Sequence, residues 1–428
     1  MPLATQMIKR TSFESTYAGQ PEFLTEDSDS PMVLEHIPEV FIEPEDRIVP
    51  TAEDRTRLND MATCEGGPLE GYGGNRKIMS QLVEYDVVQQ SASDRIRREK
   101  PYLYDALCAR QRIGRIASVT PLIHAGALVD APHAKVWLKL ENTRPTGSFK
   151  ELGAANVIYS IPADEVTQGV TIVTAGNAGL GTVRAAQERS RDIGLRIPVT
   201  VRVPSNISEP KYRKLVQSGA TVVKGGEGYD GAYERFTDDV NNGLQTHEVH
   251  AFDAEAVRIG QSIITAQILE QLDGDVQAIY SAAGGGGLPA RNAAVLKEHN
   301  TDAEYVIAQS EHADALVQSL YTDATVRVEN PHGLADGTMV SQPSEQAVIE
   351  CRKFVSRGHS IPEVKTARAM LDMEKLFGMW IEGAPAMAIA AAREDRLRLT
   401  GNVVVIISGG NVSDETWQQA QELAKSNV

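Results

Sequence analysis

KLENTRPTGSFKELGAANVI, residues 139–158, decides how this chain is read. The short apolar run KVWLKL (135–140) predicts a strand that ends near Glu141. A turn containing Pro145 and Gly147 follows, and a helix is expected over 147–160 with Ser148 as its cap. Lys150 then sits in the first turn of a helix, at the C-terminal end of a strand. Open α/β sheets gather their ligands along that edge. The positive end of the helix dipole disfavours an ammonium there and lowers the lysine pKa, and a lysine so tuned is suited to imine formation. Taken alone, a solvated surface lysine would fit this pattern better.

Working outward, strands and helices alternate. Short β-branched runs recur at 170–175, 198–203, 220–225, 276–282, 304–309 and 402–408. Helical patterns lie between them and beyond, at 177–194, 208–218, 229–243, 255–272, 288–299, 312–320, 362–376 and 384–394. Strands separated by helices imply parallel strands with crossover helices. Runs apolar throughout imply strands covered on both faces. The body is therefore expected to be a doubly wound α/β protein. Residues 1–90 have a different texture. Segment 20–54 is rich in Pro, Glu and Asp, and GGPLEGYGGN (66–75) follows no strand. Both are read as an irregular extension. A helix is expected to start near Ser91 or Ser93 and run towards Arg115.

Composition narrows the class. The 428 residues are 42% hydrophobic and 23% charged, with a net charge of −16. Such an acidic chain has no electrostatic reason to bind nucleic acid or an anionic membrane, so an anionic cofactor needs a local site. Cys64, Cys108 and Cys351 form no metal-ligand or disulfide spacing, which fits a reducing compartment and a cytoplasmic location.

Three more turns resemble the one before Lys150. VTAGNAGLG (173–181) passes from a strand to a helix through glycines and Asn177. SAAGGGGLPA (281–290) places four glycines, Gly284 to Gly287, between an apolar strand and a helix, the pattern of a phosphate nest. It matches neither G-x-G-x-x-G nor the Walker A pattern. VVVIISGGN (403–411) delivers Ser408 and two glycines to the same edge.

T-G-S-F-K, A-G-N-A-G, the four glycines and the late S-G-G-N, in this order, resemble the fold-type II pyridoxal-phosphate enzymes. SVTPLIHAGAL (118–128), AFDAEAVRIGQ (251–261), LADGTMV (334–340) and EGAPAMAIAA (382–391) extend the likeness, which covers about residues 92–415. The last three look more like serine and threonine dehydratases than cysteine synthases. The resemblance implies an α/β catalytic region over 91–428 built as two doubly wound parallel-sheet domains, the smaller at about 170–260. It also implies roles for named residues. Lys150 would form the imine with pyridoxal 5′-phosphate and move the Cα proton. Phe149 would line the cofactor pocket, Gly284, Gly285, Gly286 and Gly287 would hold the phosphate, and Asn177 would hydrogen-bond the 3′-oxygen. Ser408 would face the ring nitrogen and leave it largely unprotonated. Ser148 and the turn Thr174, Ala175, Gly176 and Ala178 would take the substrate carboxylate.

Departures from the family bear on the substrate. Leu152 stands where an arginine is frequent, Gln309 where cation-using members carry an acid, and Ala178 where many threonine dehydratases have histidine. Glu311, His312 and Asp314 are close enough in sequence to bind a cation, but a solvated helix start fits better, and no metal is expected. The reading is an ammonia-lyase that eliminates the β-substituent of a serine- or threonine-like amino acid, working as a homodimer. The alternatives are a β- or γ-replacement synthase and a non-catalytic cofactor-binding protein. In serine racemases of the family, a serine on the turn before the cofactor asparagine serves the second face of the substrate. The matching residue here is Ala175, so no racemisation is expected.

Overall fold

Of the 428 residues, the computed structural model describes 95–426. The extension, the loop at 66–75, Cys64 and the caps expected at Ser91 and Ser93 lie outside the described residues. Residues 95–99, a helical turn, belong to a separate unit, Arg10–Glu99. The unit that begins at Lys100 carries every element named below.

The helix expected to run through to Arg115 is interrupted. Lys100 leaves the helical region (φ −138°, ψ 62°), and Pro101 opens α1 (Pro101–Ile113). Proline disfavours helical backbone in the residue before it and tolerates the first helical position, so it starts a helix here. Next come β1 (Leu122–His124), β2 (Ala134–Lys139), α2 (Lys150–Ser160), β3 (Val170–Val173) and α3 (Asn177–Ile193). They are followed by β4 (Val199–Val203), α4 (Glu209–Gln217), β5 (Thr221–Lys224), α5 (Gly228–Asn241) and β6 (His247–Glu248). The chain continues with α6 (Glu255–Gln271), β7 (Ala278–Ala282), α7 (Gly287–His299), β8 (Glu304–Ser310), α8 (Ala315–Leu320) and α9 (Glu345–Phe354). It ends with β9 (Arg357–Ile361), α10 (Glu363–Phe377), α11 (Gly383–Glu394), β10 (Gly401–Ile406) and α12 (Asp414–Lys425).

Two sheets organise the unit. Six strands run in the order β1-β2-β10-β7-β8-β9, and four in the order β5-β4-β3-β6. Every pairing is parallel except β1 with β2. The larger sheet is covered on both faces. In β8, Tyr305 and Ile307 pack into one apolar cluster while Val306 and Ala308 pack into the other. Val404 and Ile406 of β10 join the first cluster, and Val403 and Val405 the second. An unbroken apolar run is what a strand buried on both faces requires. Each such valine or isoleucine contributes roughly 1.5–3 kcal/mol.

The seven strands expected from apolar runs are present. Three others were not foreseen, for a shared reason: β1, β6 and β9 are short or polar. Arg357-Gly358-His359-Ser360-Ile361 is an edge strand paired only with β8, and acids hold its polar side chains: Glu304 and Asp395 pair with Arg357, and Asp395 and Glu394 with His359. Two helices also escaped notice, α9 and α12. Each has a serine cap whose hydroxyl accepts from the backbone: Ser344 from Ala347 at 3.0 Å, and Ser413 from Thr416 at 3.1 Å. In the opposite direction, the helix expected at 312–320 starts only at Ala315.

Ser148 is not the cap of α2. Phe149 occupies that position, with no side-chain capping bond. The backbone around Ser148 instead pairs with the late glycine loop, Ser148 bridging to Gly409. Gly410 donates to the Gly147 carbonyl at 2.9 Å, and Phe149 donates to that of Ser408 at 3.2 Å. Backbone pairing between the two turns displaced the local capping bond.

Candidate active site

The four glycine-marked turns all leave the C-terminal ends of parallel strands, and they meet around a cavity of about 500 Å³. Its wall contains Phe149, Lys150, Thr174, Ala175, Gly176, Asn177, Ala178, Gly284, Gly285, Gly287 and Ser408. Of the residues singled out from sequence, Ser148 and Gly286 are not on that wall. Ser148 is buried, and its hydroxyl has no partner among the described residues. Gly286 shapes the nest from within. It takes φ +94°, a left-handed conformation that favours glycine, and caps α7.

Lys150 opens α2 with its ammonium 3.0 Å from the Ala251 carbonyl. Enclosure in the protein holds its pKa down to about 8, against an opposing pull from Glu382. Burial is the largest cause of that depression. A second lysine is also depressed: burial takes Lys139 to about 7. Its ammonium is held by the Thr120 carbonyl at 3.0 Å and Gln271 at 2.8 Å, and it is not on the cavity wall. Among the described residues, only Lys150 combines a nucleophile's pKa with access to the cavity.

The glycine loop is shaped to bind an anion. A Cβ on Gly285 would lie 2.6 Å from the Phe252 ring, and one on Gly287 would lie 2.4 Å from the Phe252 carbonyl oxygen. Side chains are excluded, and the loop leads into the N-terminus of a 13-residue helix, whose unpaired N–H groups attract a phosphate. The Gly284 carbonyl accepts from Gln309 at 3.3 Å, and Gln309 in turn accepts from the Val317 N–H at 2.8 Å. The residue that replaces the family's acid thus braces the nest. The neighbouring Glu311 accepts from the Glu363 N–H at 3.0 Å, and His312 stacks on His332 with centroids 4.3 Å apart. Among the described residues, no group of three or more His, Cys, Asp or Glu side chains is arranged to hold a metal ion.

Across the cavity, α3 begins at Asn177 with no side-chain cap. The Gly176 N–H is taken by the Thr174 hydroxyl at 3.1 Å. The start of this 17-residue helix turns backbone N–H groups to the same cavity. One cavity therefore brings together a glycine loop, a second helix start, a lysine of depressed pKa and a serine hydroxyl. Those are the parts that a phosphorylated aldehyde cofactor and an amino acid require.

Sequence reasoning assigned no role to several wall residues, although most lie in motifs it had marked. Glu382 begins EGAPAMAIAA. It accepts from the Asn177 side-chain N–H at 2.8 Å and the Asn411 backbone N–H at 3.0 Å, and burial pushes its carboxyl pKa up. Thr338 and Asp336 lie in LADGTMV, and Asp336 pairs with Lys211 of α4. Tyr229 belongs to no marked motif. Its hydroxyl has no partner among the described residues, and burial raises its pKa.

Comparison with known proteins agrees with this geometry. The profile described as "Pyridoxal-phosphate dependent enzyme" matches residues 114–409. An L-threonine ammonia-lyase from Thermotoga maritima is 30% identical over 311 residues, covering 72% of this chain and 75% of that protein. A chloroplastic biosynthetic threonine dehydratase from Solanum lycopersicum is 30% identical over 327 residues; the match spans 76% of this chain but only 53% of that longer protein. Among solved structures, the processed form of threonine deaminase isoform 2 from the same plant superposes with a TM-score of 0.69 at 25% identity, covering 77% of this chain and 94% of that one. The extent of the profile match and the shared sequence and fold make this chain a member of the pyridoxal-phosphate dependent enzyme family.

Proposed function

We propose that the chain is a lyase that eliminates the β-substituent of a serine- or threonine-like amino acid, releasing an oxo acid and ammonia. The observation that carries the reading is Lys150, an accessible lysine of depressed pKa facing the cavity that the glycine nest, the start of α3 and Ser408 enclose. The naming of its relatives as threonine ammonia-lyase and dehydratase supports the reaction class.

The bound cofactor supplies an electron sink for the charge left at Cα when its proton departs. The protein's own residues do the rest. Gly284–Gly287 and the start of α7 hold the phosphate, and Phe149 lines the cofactor site. The turn Thr174–Ala178 and the first N–H groups of α3 orient the carboxylate. Asn177 would offer a side-chain N–H to the cofactor's 3′-oxygen. Ser408, a hydroxyl and not a carboxylate, would face the ring nitrogen without holding a proton on it, which suits elimination. Lys150, once its amine is free, moves the Cα proton.

The serine/threonine panel is the test. Purified protein loaded with pyridoxal phosphate is offered amino acids one at a time, and oxo acid and ammonia are measured. Stoichiometric oxo acid and ammonia from a β-hydroxy amino acid is the expected result. Release of neither, with a replacement product formed when a thiol or another nucleophile is added, would overturn the reading. The enzyme is further proposed to work as a cytoplasmic homodimer on a free amino acid. Sparse thiols support that location, and among the described residues no helix is long and apolar enough to cross a membrane. Light scattering gives the oligomeric state.

A further inference from the structure

Asn177 is engaged at both ends of its side-chain amide. Its Oδ1 accepts from Asn411 Nδ2 at 2.8 Å, and its Nδ2 donates to Glu382 Oε1 at 2.8 Å. Asn411 is engaged as fully. The other N–H of its amide donates to the Thr146 carbonyl at 2.8 Å, and its Oδ1 accepts from Lys214 Nζ at 2.6 Å. Gly147 makes room for this junction, since a Cβ there would lie 2.7 Å from Asn411 Oδ1.

The chemistry of these groups gives the chain a direction. An ammonium can only donate and a carbonyl can only accept. Lys214 and Thr146 therefore determine which way round the Asn411 amide lies. Asn411 then presents N–H to Asn177, Asn177 must accept, and its own N–H groups point the other way. One N–H meets Glu382 and the second is left for the cavity. Lys214 is not itself on the cavity wall. It is on α4, beside the four-stranded sheet, as is Asn177 at the start of α3, whereas Thr146, Glu382 and Asn411 belong to segments flanking the six-stranded sheet. The junction therefore exists only when the two halves are seated together.

We propose that Lys214 is a positioning residue: by clamping Asn411 across the two halves of the unit, it fixes the amide of Asn177 with one N–H directed at the cofactor's 3′-oxygen. The inference rests on the role proposed above for Asn177, and not on the identity of the amino-acid substrate. A donor held against that oxygen favours its anionic form, so loosening the donor raises the pH at which the bound cofactor's visible absorbance changes.

The test compares Lys214→Met, Lys214→Arg and Arg213→Met in the cofactor-loaded protein. Arg213 is on the same helix, pairs with the exposed Glu209 and is not on the cavity wall, so its loss removes the same charge without touching the junction. In pH titrations of the absorbance without substrate, Lys214→Met is expected to move the midpoint up by about one on the pH scale. Lys214→Arg should restore most of the original midpoint, and Arg213→Met should move it little. Turnover on the best amino acid should fall about tenfold in kcat for Lys214→Met, with KM changed less. Equal shifts from Lys214→Met and Arg213→Met would mean that only charge matters and would overturn the proposal, as would no shift in either. Because the titration uses no substrate, its outcome is independent of whether elimination is the reaction.

Discussion

Replacing Gly285 by alanine tests the glycine nest with a known cause. The glycine needs no special backbone, since its φ is not in the left-handed region; only space forbids a side chain. An added Cβ would stand 2.6 Å and 2.7 Å from Cε2 and Cδ2 of Phe252, well inside van der Waals contact. Overpacking of this kind costs about 1–3 kcal/mol. If the loop yields and the ring does not, that cost appears as weaker phosphate binding, roughly 10- to 100-fold in Kd for pyridoxal phosphate. The assay is absorbance or fluorescence titration of the apoprotein with the cofactor, alongside thermal melts. The obstacle is a side chain, so adding Gly285→Ala to Phe252→Ala should cost little further affinity, and the double variant should match Phe252→Ala alone. Gly287→Ala provides the contrast. Its obstacle is the backbone oxygen of Phe252 at 2.4 Å, which trimming the ring cannot remove. Unchanged affinity in Gly285→Ala, or equal rescue of both alanines by Phe252→Ala, would refute the steric argument.

Other expectations follow from the same site. Borohydride should fix the cofactor to Lys150 and leave Lys139 unlabelled, because Lys139 is buried among Thr120 and Gln271; peptide mapping decides. Imine formation needs the neutral amine, so the rate of cofactor uptake by the apoprotein should climb with pH and level off above about 8. A rate still climbing towards the ordinary lysine value of 10.5 would show that burial does not tune Lys150. Chiral chromatography of residual substrate should find almost no D-enantiomer from the native enzyme. Ala175→Ser should gain some racemisation and lose part of its elimination rate.

What could be read without coordinates was what is local. Lys150, Asn177, the four glycines and Ser408 each stand at the end of a β-branched run, and such runs announce their strands. The order of the motifs carried the family likeness, and the likeness carried the cofactor. Sequence reasoning failed where a distant partner overruled a local preference. Ser148 has the chemistry of a helix cap, yet pairing with Gly409 took its backbone elsewhere. β9 reads as polar loop because Arg357 and His359 find their partners, Asp395 and Glu394, far along the chain. The low pKa of Lys150 was expected from its place at a helix start; the burial that contributes to it comes from distant elements that no local pattern shows.

The sequence alone determined which strand ends would carry the chemistry and what each could offer: an amine, an amide, a ring of backbone N–H groups, a hydroxyl. Only the tertiary structure decided how those groups are aimed. Glu382 and Asn411 lie 205 and 234 residues from Asn177 along the chain, and Lys214 lies 197 from Asn411. Chain spacing says nothing about such contacts. They depend on two sheets meeting at their C-terminal edges, where complementary donors and acceptors from both halves come within hydrogen-bonding distance.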